Sequence, residues 1–247
     1  MKTLSIGITT FKNRLNDVSK QIKEIRAIDQ KIKIILAITN NYGETMDEEY
    51  RKSILNLCIE YPYVYPLMFG KYTGLAKMWN NIVVHSQTTH VLIMNDDLCI
   101  NNPMIFNDLR IAIQTNEALE INGIFSHFIV SKELMNEVGY FDERLIAYGE
   151  EDGDFRDRYL LAKGHPISHI RIGGIMNQSK NKFKDSYDTA MDCHQDAWGG
   201  YKPTVNVEVI KKKKAENWDD VKQYPYEEFI DKNYSNIGKF QKIEITN

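Results

Sequence analysis

The stretch His90–Ile100, HVLIMNDDLCI, decides how this chain folds. Val91, Leu92, Ile93 and Met94 form a continuous apolar run, the pattern of a strand buried on both faces. Polarity then switches abruptly to Asn95, Asp96 and Asp97. Two adjacent carboxylates beside a carboxamide at the C-terminal edge of a strand make a hard-oxygen site. Mg²⁺ or Mn²⁺ takes such sites, through one or two carboxylates plus substrate phosphates. A turn after a core strand uses the same residue types, and this stretch in isolation favours the turn.

The flanking sequence changes that balance. Upstream, Leu4–Thr10 reads as a strand ending in the polar segment Thr9–Arg14. Leu15, Val18, Ile22 and Ile25 follow at helical spacing. Lys33–Ile38 is a second buried strand that stops at Thr39–Gly43, and a helix follows with Tyr50, Ile54, Leu57 and Tyr61 facing inward. Tyr63–Phe69 is a weaker strand, interrupted by Pro66. Gly74 opens a helix carrying Leu75, Met78, Trp79, Ile82 and Val83. Strands alternating with helices imply a largely parallel sheet, and ligands of such sheets sit beyond the carboxyl ends of the strands. The polar ends Thr9–Arg14, Thr39–Gly43 and Asn95–Asp97 are therefore expected to converge on one cleft, which favours a functional role for Asp96 and Asp97. Neither a GxGxxG after the first strand nor a GxxxxGK[ST] occurs, which disfavours dinucleotide and P-loop sites.

Downstream, a helix is expected around Ile105–Ile113, then a β region at Ile121–Val130 and a helix at Ser131–Val138. The segment Gly149–Arg158, GEEDGDFRDR, places five acidic residues within eight positions. Acids in a first turn complement the helix dipole, but this number exceeds what a helix start needs, so a carboxylate held as general base is expected. Phe155, Tyr159 and Leu160 are expected to face the core, with Gly164 ending the helix. Ile167–Ile172 alternates like a strand. The glycine- and lysine-containing stretch from Gly173 to Asp188 reads as a mobile loop whose lysines suit a phosphate.

Composition bounds the rest. A net charge of −3 gives no global reason to expect nucleic acid or an anionic membrane. Lys211–Lys214 reads as a solvated basic run. The start of the chain lacks the pattern of a secretory signal. No stretch approaches the roughly eighteen apolar residues of a membrane span. Three scattered cysteines, Cys58, Cys99 and Cys193, have no metal-site spacing and fit a reduced, cytoplasmic setting, with Cys58 and Cys99 as small core residues. Residues 1–200 are expected to form one domain and 201–247 an extension packed on it.

The order of these features resembles the inverting, GT-A-fold nucleotide-sugar glycosyltransferases, and most closely glycosyltransferase family 2. ITTFKNR (Ile8–Arg14) is similar to that family's PTYNR segment, AITNNYG (Ala37–Gly43) to its VDDGS, and GLAKMWNN (Gly74–Asn81) to its GxAxARN. Asn95-Asp96-Asp97 stands at the DXD position, and VGYFDE (Val138–Glu143) with GEEDGDFRDR resembles GxFDE…GEDxDxxxR. The resemblance covers about residues 3–175 and implies a GT-A, Rossmann-like α/β fold with a mixed, mainly parallel sheet flanked by helices. It further implies a metal-assisted transfer, with Mn²⁺ or Mg²⁺, of a sugar from a nucleoside-diphosphate sugar (UDP being the family's commonest nucleotide) to a glycan, glycolipid or other hydroxyl acceptor. Carried over by residue, Thr10, Arg14, Asn40, Asn80, Asn95 and Asp96 serve the donor, with Thr10 and Asn40 toward the nucleobase. Asp97 binds the metal, His194 is its further ligand, Asp152 is the general base, and Glu151 positions acceptor or sugar.

Three positions depart from the family pattern. Asn40 replaces an acid, Trp79 replaces an arginine, and Asn95 is a neutral residue at the first DXD position. Two other functions compete. A non-catalytic nucleotide-sugar or carbohydrate-binding protein on the same scaffold has no need of the acidic cluster. A sugar-phosphate nucleotidyltransferase opens with a glycine-rich loop after its first strand, and TTFKNR has no glycine.

Overall fold

A computed structural model describes residues 2–11, 14–40, 45–143, 145 and 151–177. Seven strands form one sheet in the order β3-β2-β1-β4-β7-β6-β8. They are β1 (Leu4–Phe11), β2 (Ile34–Thr39), β3 (Val64–Met68), β4 (His90–Asn95), β6 (Ala118–Ile121), β7 (Ile124–Ser131) and β8 (Ser168–Ile170). The pairs β1–β2, β1–β4 and β2–β3 are parallel, β4–β7 and β6–β7 antiparallel, and β6–β8 parallel. Only β7 among these strands therefore opposes the direction of β4. β5 (Leu98–Ile100) leaves the main sheet and pairs antiparallel with β9 (Ile175–Asn177).

Two apolar layers sandwich the sheet. Ile6, Ile8, Leu36, Ile38, Leu92 and Met94 point to one face, against Val18, Ile22 and Ile25 of α1 (Leu15–Ile28), Ile54 and Leu57 of α2 (Glu48–Glu60) and Phe106 of α4 (Ile105–Ala112). Ile35, Ala37, Val91 and Ile93 point to the other. There they meet Met78 and Ile82 of α3 (Leu75–His85), Leu134 of α5 (Lys132–Val138) and Phe155 of α6 (Glu151–Lys163). The period-2 alternation of β1, β2 and β4 is thus buried on both sides, which explains why these strands read as unbroken apolar runs.

Most expected elements occur, with shifts that have local causes. The β region at Ile121–Val130 is a hairpin whose first strand starts at Ala118; Asn122 and Gly123 turn it with positive φ angles of 57° and 73°. Ser131 caps α5 instead of beginning it, its hydroxyl accepting from the Leu134 amide at 3.0 Å. Pro66 sits in β3 at the edge of the sheet, where a missing N–H costs no ladder bond. Leu160 does not face the core: it is 47% exposed, while Phe155 and Tyr159 carry the buried stripe. Tyr61 is the C-cap of α2 and only half-buried. The strand expected at Ile167–Ile172 shortens to β8, and Ile175–Asn177 of the expected loop is β9. Cys58 packs against the core, and burial pushes its thiol up to about 11. Cys99 instead directs its thiol to Glu24 Oε1 at 3.2 Å. The remainder of the loop and the C-terminal extension lie outside the described residues. No described helix is long and apolar enough to cross a membrane.

Gly7 has a packing reason to be glycine. A Cβ built there overlaps Ile82 Cγ2 of α3 and lies 3.1 Å from its Cδ1, so the absent side chain lets α3 settle on β1. Gly7→Ala should cost about 1–3 kcal/mol, read as a drop in Tm of ~2–4 °C per kcal/mol. Ile82→Leu, which lacks the offending methyl branch, should restore part of that loss in the double variant. A Gly7→Ala protein as stable as wild type would show that α3 does not seat on β1 this closely.

Candidate active site

The carboxyl end of β4 is fixed from two sides. Asn95 still pairs with Thr9 of β1, and Asp96 and Asp97 form the turn into β5. Gln21 of α1 donates through Nε2 to the Asn95 carbonyl at 2.8 Å, and Glu24, one turn on, accepts from the Ile100 amide at 2.9 Å. One helix therefore holds the chain before and after the Asp96–Asp97 turn.

Within that turn Asp96 is buried and engaged. Thr10 donates through Oγ1 to its Oδ2 at 2.6 Å, and Arg14 donates through Nη2 to its Oδ1 at 3.1 Å. Burial pushes the Asp96 carboxyl up to about 7; Arg14 opposes this, Asp97 adds to it, and Thr10 opposes it. Thr10, Arg14 and Asp96, all expected at the donor site, are thus brought into direct contact. Arg14 also pairs with Asp17 at 3.0 Å, just inside the α1 N-terminus.

Asn40 follows β2 at the same edge of the sheet and is fully buried. Its Nδ2 donates to the Phe69 carbonyl at 3.2 Å, whereas its Oδ1 has no hydrogen-bond donor within reach among the described residues. Thr39 accepts from the Thr73 amide at 2.6 Å, so the segment entering α3 closes against the end of β2.

Asn80 is placed differently from its neighbours in sequence. Its Nδ2 donates to the Phe141 carbonyl at 2.8 Å and to Glu143 Oε1 at 3.0 Å, and its Oδ1 accepts from the Phe141 amide at 2.9 Å. The whole carboxamide is used to pin the Phe141–Glu143 segment to α3. Trp79, where the family resemblance leads one to expect arginine, is buried edge-on against Phe128 and Phe141 at 5.1 and 4.9 Å.

The acidic cluster divides by role. Arg158 and Asp154 are wholly buried and paired at 2.9 Å. The Arg158 guanidinium also donates to the carbonyls of Val138, Gly139 and Tyr140, each at 2.9 Å. Glu151 is buried at the start of α6. Asp152 is one-third exposed, and its Oδ2 accepts from Arg156 Nη1 at 2.8 Å. Arg156 in turn donates to Glu120 of β6 at 2.7 Å. β6 runs in the same direction as β4, and Glu120 stands one residue before its carboxyl end, across Phe128 of β7 from Ile93 of β4. His194 lies outside the described residues, and these contain no group of three or more potential His, Cys, Asp or Glu ligands for a metal ion.

Two groups escaped the sequence reading. His127 of β7 lies opposite Met94, its Nδ1 2.9 Å from Ser126 Oγ and its Nε2 without a hydrogen-bond partner among the described residues. Burial pushes its imidazole down to about 4, so the ring is neutral at pH 7. The polar pair Ser126-His127 inside the otherwise apolar run IFSHFIV was the available signal. Glu143, 3% exposed, keeps one carboxylate oxygen on Asn80, while Oε2 has no hydrogen-bond partner among the described residues. Burial pushes its carboxyl up to about 7, against Asn80 and Lys77 and with Asp142.

No family model matches the sequence, and no curated protein matches it. Solved structures do. The chain superposes on Staphylococcus aureus TarS residues 1–349 at a TM-score of 0.55 and 16% identity, covering 80% of this chain and 66% of that one. It matches the mannosyltransferase PcManGT of Pyrobaculum calidifontis, in complex with GDP-Man and Mn²⁺, at 0.59 and 11%, covering 74% and 58%. It matches glucosyl-3-phosphoglycerate synthase of Mycobacterium tuberculosis, in complex with Mn²⁺, UDP and glucosyl-3-phosphoglycerate, at 0.54 and 13%, covering 78% and 76%. The chain thus spans less than two thirds of the length of the first two. At these identities the likeness establishes the fold, and the chain has the expected GT-A α/β architecture.

Glu143 makes the site's stability pH-dependent in a defined direction. A carboxyl raised from 4.5 to about 7 binds more protons folded than unfolded, so its contribution is intact below pH 4.5 and is lost as pH rises to about 7. Glu143→Gln should remove a pH-dependent loss on the order of 3 kcal/mol across that window. Thermal melts at pH 5 and 8 read this as a smaller difference for the variant; an unchanged difference would place the titration elsewhere.

Proposed function

We propose that this chain is a glycosyltransferase that moves a sugar, with inversion, from a nucleoside-diphosphate sugar to a hydroxyl acceptor. The observation carrying this is the meeting of Thr10, Arg14 and Asp96 at the end of β4, beside which Asp152 is tied through Arg156 to Glu120 of β6. The mannosyltransferase and synthase of the same fold, with their bound GDP-Man or UDP and Mn²⁺, support a nucleotide-sugar donor and a divalent metal for this chain too.

The donor set fits a hard divalent ion in kind. Asp97 supplies a carboxylate and Asn95 a neutral oxygen, whereas both Asp96 oxygens are engaged by Thr10 and Arg14. Two protein ligands suffice for Mg²⁺ or Mn²⁺ when diphosphate oxygens complete the shell, and His194 is a further ligand in this proposal. When bound, the ion offsets the charge that develops on the leaving diphosphate. Arg14 holds Asp96 beside Asp97 and adds positive charge where the diphosphate sits. Asn40 meets the base: with Nδ2 on the Phe69 carbonyl, its Oδ1 accepts from a base N–H, as an acid would at that position. UDP is the default donor nucleotide. In the transfer, the acceptor hydroxyl oxygen bonds to the anomeric carbon while the bond to the diphosphate oxygen breaks. The hydroxyl proton passes to Asp152, and the electron pair leaves with the diphosphate. Glu151, buried one residue before Asp152, orients the sugar or acceptor.

Two experiments test the proposal. Thermal melts with UDP-, GDP- and dTDP-sugars, with and without Mn²⁺, should show a metal-dependent rise for one nucleotide. Donor at 100 times its Kd adds about 2.7 kcal/mol, or ~5–10 °C at this chain length, and Asp97→Asn should abolish this metal-dependent rise. No rise with any nucleotide and metal would argue for a scaffold whose acids are structural. Separately, Asp152→Asn should lower transfer by ~10²–10⁴-fold while sparing donor affinity. Donor binding without turnover by the wild type would favour a nucleotide-sugar-binding protein.

A further inference from the structure

Arg156 occupies a position that none of the motifs above requires, yet it is held beside Asp152 by contacts from two further strands. Its Nε donates to Glu120 Oε1 at 2.7 Å and its Nη1 to Asp152 Oδ2 at 2.8 Å. Its guanidinium carbon lies 4.9 Å from the centre of the Phe125 ring. That ring stacks on Phe128 at 4.0 Å, and Phe128 meets Trp79 edge-on, so the support beneath Arg156 is the aromatic core.

We propose that Arg156, held by Glu120 and Phe125, is a positioning residue for Asp152: it fixes one carboxylate oxygen so that the other is presented to the acceptor hydroxyl. This rests on the glycosyltransferase reading and deepens it. Three attachments from three elements leave the guanidinium little freedom. A salt bridge between two long exposed side chains lacks that advantage, since ordering them offsets most of its gain. Once Arg156 Nη1 holds Oδ2, rotation of the Asp152 carboxylate is restricted and Oδ1 points away from the bridge. A general base must meet its proton within hydrogen-bond reach, and a small misplacement lowers the rate steeply.

Glu120 has an electrostatic part. With Asp152 ionised, the Glu120–Arg156–Asp152 group carries one net negative charge. When Asp152 accepts the acceptor's proton, Arg156 and Glu120 remain a matched pair, so the proton transfer leaves no isolated cation beside the new oxocarbenium-like centre. Of the neighbouring acids, Asp154 is tied to Arg158 inside the core, and Glu151 is buried.

The test compares initial rates of wild type, Arg156→Gln, Arg156→Lys, Glu120→Gln, Asp152→Asn and the Arg156→Gln/Asp152→Asn double variant, each first checked for a wild-type thermal melt. With the nucleotide-sugar identified by the binding screen, Arg156→Gln should lower kcat by about 10²-fold with donor KM unchanged. Arg156→Lys, which reaches one carboxylate but not both, should recover part of that loss, and Glu120→Gln should fall between. Because Arg156 acts through Asp152, Arg156→Gln should cost nothing further in the Asp152→Asn background. An Arg156→Gln protein with wild-type kcat, or one whose loss is equally large without Asp152, overturns the inference and leaves the transferase reading standing. Absence of turnover by the wild type with every donor overturns the reading itself, and the inference with it, before any variant is compared.

Discussion

Arg158 is the largest fully buried side chain among the described residues, and it is charged. A guanidinium taken out of water costs several kcal/mol unless its donors are met, and here the surroundings meet them. Asp154 supplies the counter-charge one helical turn earlier, and three consecutive carbonyls, Val138 to Tyr140, take the remaining bonds. Removing either partner of such a pair is far more damaging than the pair is stabilising. Three consecutive carbonyls can converge on one cation only if the chain turns sharply, and Gly139, with φ at 94°, provides that turn.

The consequences spread outward from that turn. It delivers Phe141 and Glu143 to Asn80, which joins α3 to the segment leading toward α6. It seats Phe141 against Trp79 and Phe155, at 4.9 and 4.7 Å, so the aromatic core is continuous from α3 to α6. With α6 anchored by Arg158 on its buried side, the residues on its other side, Asp152 and Arg156, are carried to the end of β6. The acidic stretch that looks like a single feature in sequence is thus two devices back to back: one holds the helix, and the other ties it through Arg156 to Glu120 of β6.

The opposite half of the site depends on β4. Its parallel partner β1 ends beside it and contributes Thr10, and the helix after β1 supplies Gln21 and Glu24 to hold the turn that carries Asp96 and Asp97. Its antiparallel partner β7 starts at that same edge and brings His127 there. β4 is therefore the line where the parallel half of the sheet meets the mixed half, and the candidate residues gather along its end.

The alternating α/β order, the identity of β1, β2 and β4 and the polar residues at their ends were legible in the sequence, because a strand buried on both faces must be apolar throughout and its loop need not be. Leu160 was misread because helix periodicity identifies a stripe but not where that stripe ends. The functions of Asn80, Asp154 and Arg158 were not legible for a different reason. A buried polar side chain is defined by the partners that satisfy it, and these lie 61 residues away for Asn80 and Phe141 and 18 to 20 for Arg158 and its carbonyls. Local chemistry marks which residues can bind, ionise or donate. Only the folded chain decides which of them are consumed in holding the structure together and which are left for other chemistry, because that division is set by desolvation and by contacts between segments remote in sequence.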